Sequence, residues 1–461
     1  MAQSILIKHA TILPMDQVGL VPTRVIEDGA LVTREDKILA LGKCEEVIKE
    51  HSRADIVIDG SGKIVIPGFV NVHSHVTGSF LRGLLEDIPN HFYHYALPLE
   101  DFLTEESTFK FSQIGAVEAV KYGITCVNDI YHYADATARA IDKVGMRGVV
   151  AHKVFDADLS KIKDDKYVRD PELGQKRLEA NIKLVKDWHG KADGRITCRI
   201  GTHATDTCRA ELLKAGREAA TKLGVGIHIH VAQSTKETAY IRRTHKKSSV
   251  QYLDSLGFLD SDVVAAHLVY ASKADLRVVK ARGVNVAHCP SIYGKVCHFP
   301  RIEDMYSTGL SIALGTDWLT MDMWDTMKQA IGISRVLTGK MIMTADKALD
   351  MATITSARAL GLSDNIGSLS PGKKADFIVV PSRKAHLRPL RNWAQNLVYY
   401  GNGGDVETVV VDGRFVVQNG RLETLDEQEV VREAQEAAEE VWSHVPYPKL
   451  VNANDMKSLN I

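Results

Sequence analysis

The sequence predicts an α/β chain: a distorted (β/α)8 barrel carrying a small β-sandwich built jointly from both chain ends. Three observations predict it. Eight short apolar runs alternate with longer stretches whose apolar residues recur at three- and four-residue spacing. Histidines and one aspartate fall where those runs end. Strand-like segments bounded by turn residues occupy both ends of the chain. With 461 residues, 45% of them hydrophobic and 25% charged, the chain can bury a large core without cross-links.

Residues 1–62 read as strands and turns. Ile5-Leu6-Ile7, Ala30-Leu31-Val32 and Ile38-Leu39-Ala40-Leu41 are separated by Asp28-Gly29 and Glu35-Asp36, both suited to tight turns. Residues 370–425 return to this character: Phe377–Val380 is strand-like, and Thr408–Val411 meets Phe415–Val417 across Asp412-Gly413-Arg414. The two segments are expected to share one sandwich. Between them, residues 63–369 hold the runs Gly68–His73, Gly123–Asp129, Arg147–Val154, Ile196–His203, Val225–His230, Val263–His267, Val284–His288 and Ile312–Asp317. Eight strand-helix units in succession suit a closed barrel better than an open sheet, with the active site at the C-terminal ends of the strands. Residues 426–461 form a tail whose first part is helix-like, charged on one side and apolar on the other.

A formal charge of -1 without a Lys/Arg-rich run leaves no electrostatic footprint for nucleic acid or an anionic membrane. The N-terminus lacks a signal peptide's apolar core, and no run of about 18 apolar residues suggests a span, so a cytoplasmic protein is expected. Six cysteines, Cys44, Cys126, Cys198, Cys208, Cys289 and Cys297, show no C-x-x-C pair and read as reduced.

The run ends carry the chemistry. His73 and His75 lie at i and i+2 on a strand, so both imidazoles point to one side and can hold one cation. With His230 and Asp317 they make three imidazoles and a carboxylate from the first, fifth and eighth runs, a set that suits Zn, Fe(II) or Mn rather than Ca or Mg. Such a metal lowers the pKa of bound water from roughly 15.7 to about 7. Asp317 is then placed to accept the water proton, and His267 to orient the nucleophile or polarise the electrophile. His228 shares the strand face of His230, so spacing alone leaves the choice between them open.

Six ordered motifs carry a resemblance: His73-Ser74-His75 after Pro67-Gly68-Phe69, His228-Ile229-His230, Ala265-Ala266-His267, Ala287-His288-Cys289-Pro290, Gly315-Thr316-Asp317 and Pro371-Gly372-Lys373-Lys374-Ala375-Asp376. Together they resemble the amidohydrolase superfamily, and within it the branch of cytosine, guanine and S-adenosylhomocysteine deaminases and triazine hydrolases, from about residue 5 to residue 422. The resemblance implies a metal-dependent hydrolase with His73, His75, His230 and Asp317 as ligands, His267 orienting water or substrate, and His203 touching substrate. No lysine ends the fourth run, where two-metal relatives carry a carboxylated one, so one divalent ion per subunit is implied, zinc first. A homodimer acting on a small molecule is implied as well.

Two departures bear on substrate. The deaminases of this branch carry a glutamate three residues after the fifth-strand histidine, and here that position is Gln233, which can donate a hydrogen bond but cannot shuttle a proton. Ser291-Ile292-Tyr293 stands where a Ser-Asn pair is usual, so Tyr293 alters the pocket wall. The segment 82–95, including His91 and His94, either lines the substrate mouth or packs on the barrel rim. Trp318 either stacks on a flat substrate or belongs to the core. His288 is a further candidate for substrate contact, with a structural hydrogen bond as the alternative. Hydrolysis of a C–N bond in an amide, urea or amino-substituted heterocycle is the leading reading. Dechlorination, thiolate displacement or thiocarbamate cleavage is the second, with classical nucleobase deamination kept open despite Gln233. A non-catalytic ligand-binding barrel is the third.

Overall fold

The computed structural model describes residues 4–88, 92–296 and 298–444. One sheet combines both chain ends: β1 (Ser4–Ile12), β2 (Ile26–Arg34), β3 (Lys37–Lys43), β4 (Ile56–Asp59) and β5 (Lys63–Pro67) join β15 (Phe377–Pro381), β16 (Thr408–Val411), β17 (Arg414–Gln418) and β18 (Arg421–Leu422). β5 is the hinge of this sheet, antiparallel to β15 from Pro67↔Phe377 to Lys63↔Pro381 and parallel to β1. The strands change sheet at Gly68, so Lys63–Pro67 sits with the chain-end strands and not in the barrel. The hairpin at Asp412-Gly413 has both residues left-handed, at φ 54 and 74. A Cβ on Gly413 would lie 1.7 Å from the Glu35 carbonyl oxygen, so glycine lets the C-terminal hairpin sit against the β2–β3 turn.

Two expectations for the first 60 residues are corrected. Asp28-Gly29 is no turn; it lies within β2, where Asp28 is left-handed and the register shifts. The strand bends there without reversing because a bare Gly29 gives Ile12 room: a Cβ would lie 2.9 Å from Ile12 Cδ1. Residues Cys44–Glu50 form a helix, too short at seven residues to impress a helical period on the sequence.

The second sheet is a parallel barrel of β6 (Phe69–Ser74), β7 (Ile124–Tyr131), β8 (Arg147–Val154), β10 (Ile200–Ala204), β11 (Ile227–Val231), β12 (Val263–His267), β13 (Asn285–His288) and β14 (Ser311–Leu314) in that order, with β9 (Ile196–Cys198) beside β8. The fourth run is therefore split, at Arg199, whose guanidinium donates to the Asp262, Ile227 and Ala359 carbonyls. Alternation sorts the strands: Ile227, Ile229 and Val231 pack outward against helices, while Val70, Val72, Val149, Val264, Ala266, Ala287 and Ala313 fill the lumen. The helix Glu427–Trp442 lays Ala434, Ala437, Ala438 and Val441 onto Phe80 and Leu81 beyond β6. Among the described residues no helix is long and apolar enough to cross a membrane.

The Pro371–Asp376 motif joins the two sheets. Arg147, at the start of β8, is 5% exposed and donates to both Asp376 oxygens at 2.6 and 2.9 Å and to Asp412 at 2.6 Å. Asp376 also accepts from the Asp412 amide, and its carbonyl accepts from Gly68. Replacing Arg147 by Met would leave buried Asp376 without its cation, while Asp412 would keep Lys374 at 3.1 Å. Arg147→Met is expected to destabilise the chain by about 3–5 kcal/mol in urea unfolding; a loss under about 1 kcal/mol would show that this junction is not held by charge.

Candidate metal centre

Barrel closure assembles the centre. β14 meets β6 through a bridge between Ser74 and Asp317, in which Asp317 N donates to His73 O at 3.0 Å and His75 N to Asp317 O at 3.1 Å. Below it, Asn71 and Thr316 exchange hydrogen bonds at 2.8 and 3.1 Å. Gly315 permits the approach, since a Cβ there would lie 2.8 Å from His73 Cβ. Asp317 and His267 both hold left-handed backbone, at φ 65 and 80, which turns their side chains at the strand ends.

The imidazoles are oriented by what their Nδ1 atoms touch. His75 Nδ1 donates to the Ile130 carbonyl at 2.8 Å, and His230 Nδ1 to the His203 carbonyl at 2.7 Å. A carbonyl only accepts, so both rings carry the proton on Nδ1 and present a lone pair at Nε2. These two Nε2 atoms lie 3.3 Å apart, where two lone pairs repel unless a cation stands between them. His73 Nδ1 meets His228 Nε2 at 2.8 Å, and His73 Nε2, fully buried, has no hydrogen-bond partner among the described residues. Asp317 Oδ1 lies 3.6 Å from His73 Nε2 and 3.5 Å from His75 Nε2, while Oδ2 faces His267 Nε2 at 3.8 Å. Burial pushes His73, His75, His228 and His267 well below the usual histidine range and His230 down to about 4. Three neutral donors and a carboxylate in this arrangement fit a divalent cation, with their outer nitrogens held by protein groups. Cys289 Sγ also lies within 4.8 Å of possible ligand atoms of His73, His267 and Asp317.

The other sequence candidates surround this centre unevenly. His203 is buried, its ring 5.0 Å from that of His230 and its Nδ1 2.9 Å from Thr207 Oγ1. Tyr293 donates to the His267 carbonyl at 3.3 Å and its ring lies 5.4 Å from that of buried His288. Gln233 follows β11 half-buried, its backbone N–H donating to Glu237 Oε2 at 2.7 Å. Trp318 lies in an apolar cluster with its ring 5.7 Å from Phe92, and the Tyr93 hydroxyl reaches Ser234 Oγ at 2.9 Å. His94 is exposed on the turn Phe92–Ala96, whose Phe92 and Tyr93 face the protein. His91 lies outside the described residues.

Sequence reasoning missed three buried acids and a lysine. Lys153 ends β8 four residues after lumen-facing Val149, and its ammonium sits 2.6 Å from Glu100 Oε2, which also accepts from His132 Nε2 at 3.1 Å. Burial alone would raise the Glu100 carboxyl, but Lys153 and His132 hold it below the usual carboxylate range. Counting alternate residues from Val149 would have pointed Lys153 inward. Glu237 caps the Ala232 and Gln233 amides, and burial beside it pushes Asp206 up to about 7.

A sequence profile described as the amidohydrolase family matches residues 64–416. A 5'-deoxyadenosine deaminase of Methanosarcina mazei is 34% identical over 449 residues, covering 96% of this chain and 99% of its own. A 5-methylthioadenosine/S-adenosylhomocysteine deaminase of Moorella thermoacetica is 34% identical over 434 residues, covering 92% and 97%. Among solved structures, a zinc-bound adenosine deaminase from Xanthomonas campestris superposes with a TM-score of 0.84 at 23% identity, covering 96% of this chain and 99% of its own. A zinc complex of an atrazine chlorohydrolase from Arthrobacter aurescens gives 0.82 at 21% identity, covering 94% and 100%. With a matching profile over most of its length, full-length relatives and the barrel that closes on these histidines, the chain belongs to the amidohydrolase family.

Proposed function

We propose that the chain hydrolyses the exocyclic C–N bond of an amino-substituted heterocycle, most simply an adenine-bearing nucleoside, using one divalent ion per subunit held by His73, His75, His230 and Asp317. The observation that carries this reading is the pair of Nε2 lone pairs facing each other at 3.3 Å with both ring protons committed to backbone carbonyls. Imidazole and carboxylate donors suit zinc first, with Fe(II) or Mn as alternatives, and the two zinc-bound structural neighbours support that order. Such an ion supplies a lowered pKa for the attacking water and polarises the electrophile.

The chain's own residues handle position and protons. Asp317 turns one oxygen to His73 and His75 and the other to His267, so it accepts the water proton and, with His267, returns it to the leaving nitrogen. Gln233 donates a hydrogen bond to the heterocycle. His203, Tyr293 and His288 shape the buried wall. The relatives named for 5'-deoxyadenosine, 5-methylthioadenosine and S-adenosylhomocysteine support a nucleoside. The family resemblance supports a cytoplasmic homodimer. A second reading, displacement of chloride or a thiolate from a ring, is favoured by Gln233 because those groups leave without a proton.

Ammonia release from 5'-deoxyadenosine and related nucleosides should disappear on chelator dialysis and return with zinc. Chloride or thiol release from triazines, with no ammonia from nucleosides, would replace this reading by the second. Gln233→Glu should keep its bound metal and raise kcat/KM on the amino-substituted substrate by about tenfold or more; metal loss in that variant would show the side chain to be misassigned. Asp317→Asn should cost about 10²–10⁴-fold in kcat, and a rate near wild type would exclude Asp317 as the proton acceptor.

A further inference from the structure

Away from the barrel, three side chains of different ligand chemistry meet on the chain-end sheet. His9 on β1, Asp28 on β2 and Cys44, first residue of the helix Cys44–Glu50, bring a ring nitrogen, a carboxylate oxygen and a sulfur within 4.8 Å of one another. His9 Nδ1 is 2.8 Å from Asp28 Oδ1, and His9 Nε2 is 4.0 Å from Cys44 Sγ. An ionised carboxylate only accepts, so Nδ1 carries the proton and the Nε2 lone pair faces the sulfur.

The backbone is bent to make this meeting. β1 and β2 shift register between Ile7 and Ala10, and His9 and Asp28 are both left-handed, at φ 59 and 47. Burial differs among the three in a way that suits an ion site with an entry path. Cys44 is 1% exposed, whereas the His9 and Asp28 side chains are 51% and 68% exposed.

We propose that His9, Asp28 and Cys44 form a second divalent-metal site, separate from the barrel centre and selective for a thiophilic ion such as zinc. Metal–ligand bonds of about 2.0–2.3 Å place tetrahedral donors roughly 3.3–3.8 Å apart. Reaching that spacing requires the exposed His9 and Asp28 side chains to rotate and give up their mutual hydrogen bond, with the buried sulfur left in place. On binding, the Cys44 S–H bond breaks, its proton goes to solvent and the thiolate lone pair forms the metal–sulfur bond. Nitrogen, oxygen and sulfur fill three positions and water the fourth. The ion ties the β1–β2 bulge to the following helix.

The test loads chelator-stripped full-length protein with Co(II) and reads the thiolate-to-cobalt charge-transfer absorption in the near ultraviolet together with metal per chain. Wild type should show the band, and Cys44→Ser and His9→Asn should each lose it along with one metal equivalent while retaining the barrel ion. Asparagine accepts a left-handed backbone and His9 is exposed, so the second variant separates ligand loss from misfolding. Absence of the band in wild type, its persistence in Cys44→Ser, which would assign it to another thiol such as Cys289, or its persistence in His9→Asn would each overturn the site.

Discussion

Two backbone hydrogen bonds close the barrel and build the centre at once. Asp317 donates to the His73 carbonyl and accepts from the His75 amide, so the last strand cannot join the first without bringing a carboxylate beside two imidazoles. Asn71 and Thr316 repeat the link one layer down, and glycine at 315 lets the strands approach. The proposed ligand positions are thus a consequence of closure, rigid because the fold's own continuity depends on them. The orientation of the rings is a separate achievement, made by the carbonyls of Ile130 and His203 on neighbouring strands.

Much of this is legible in the chain. In β11, Ile227, Ile229 and Val231 face the helices, which leaves His228 and His230 inward by simple alternation. The tail helix shows its buried face at 434, 437, 438 and 441 in the same way. What alternation cannot supply is the choice between His228 and His230. The contacts differ: His228 puts its Nε2 on His73 Nδ1, while His230 faces His75, and this carries the proposal of His230 as the ligand. Asp28-Gly29 misleads because the residues that favour a turn also favour a bulge, and only the partner strand distinguishes them. The pairing of Lys153 with Glu100 is silent in sequence, since one sits on β8 and the other ends the short helix Leu97–Glu100, and the two meet only in the fold.

In the proposed function, the groups that make a nucleophile and those that choose a substrate sit on different parts of the molecule. The first rests on strand ends held by the barrel. In the same proposal the second rests on Gln233 and Tyr293, which lie outside the barrel strands.

The central claim is that His73, His75, His230 and Asp317 converge on one ion. Anomalous diffraction at the zinc edge from crystals of the zinc-loaded protein tests it most directly. A single barrel peak about 2.0–2.2 Å from the Nε2 atoms of the three histidines and an Asp317 oxygen is the predicted result. No peak in the barrel, or one that any of these four side chains does not reach, would contradict it.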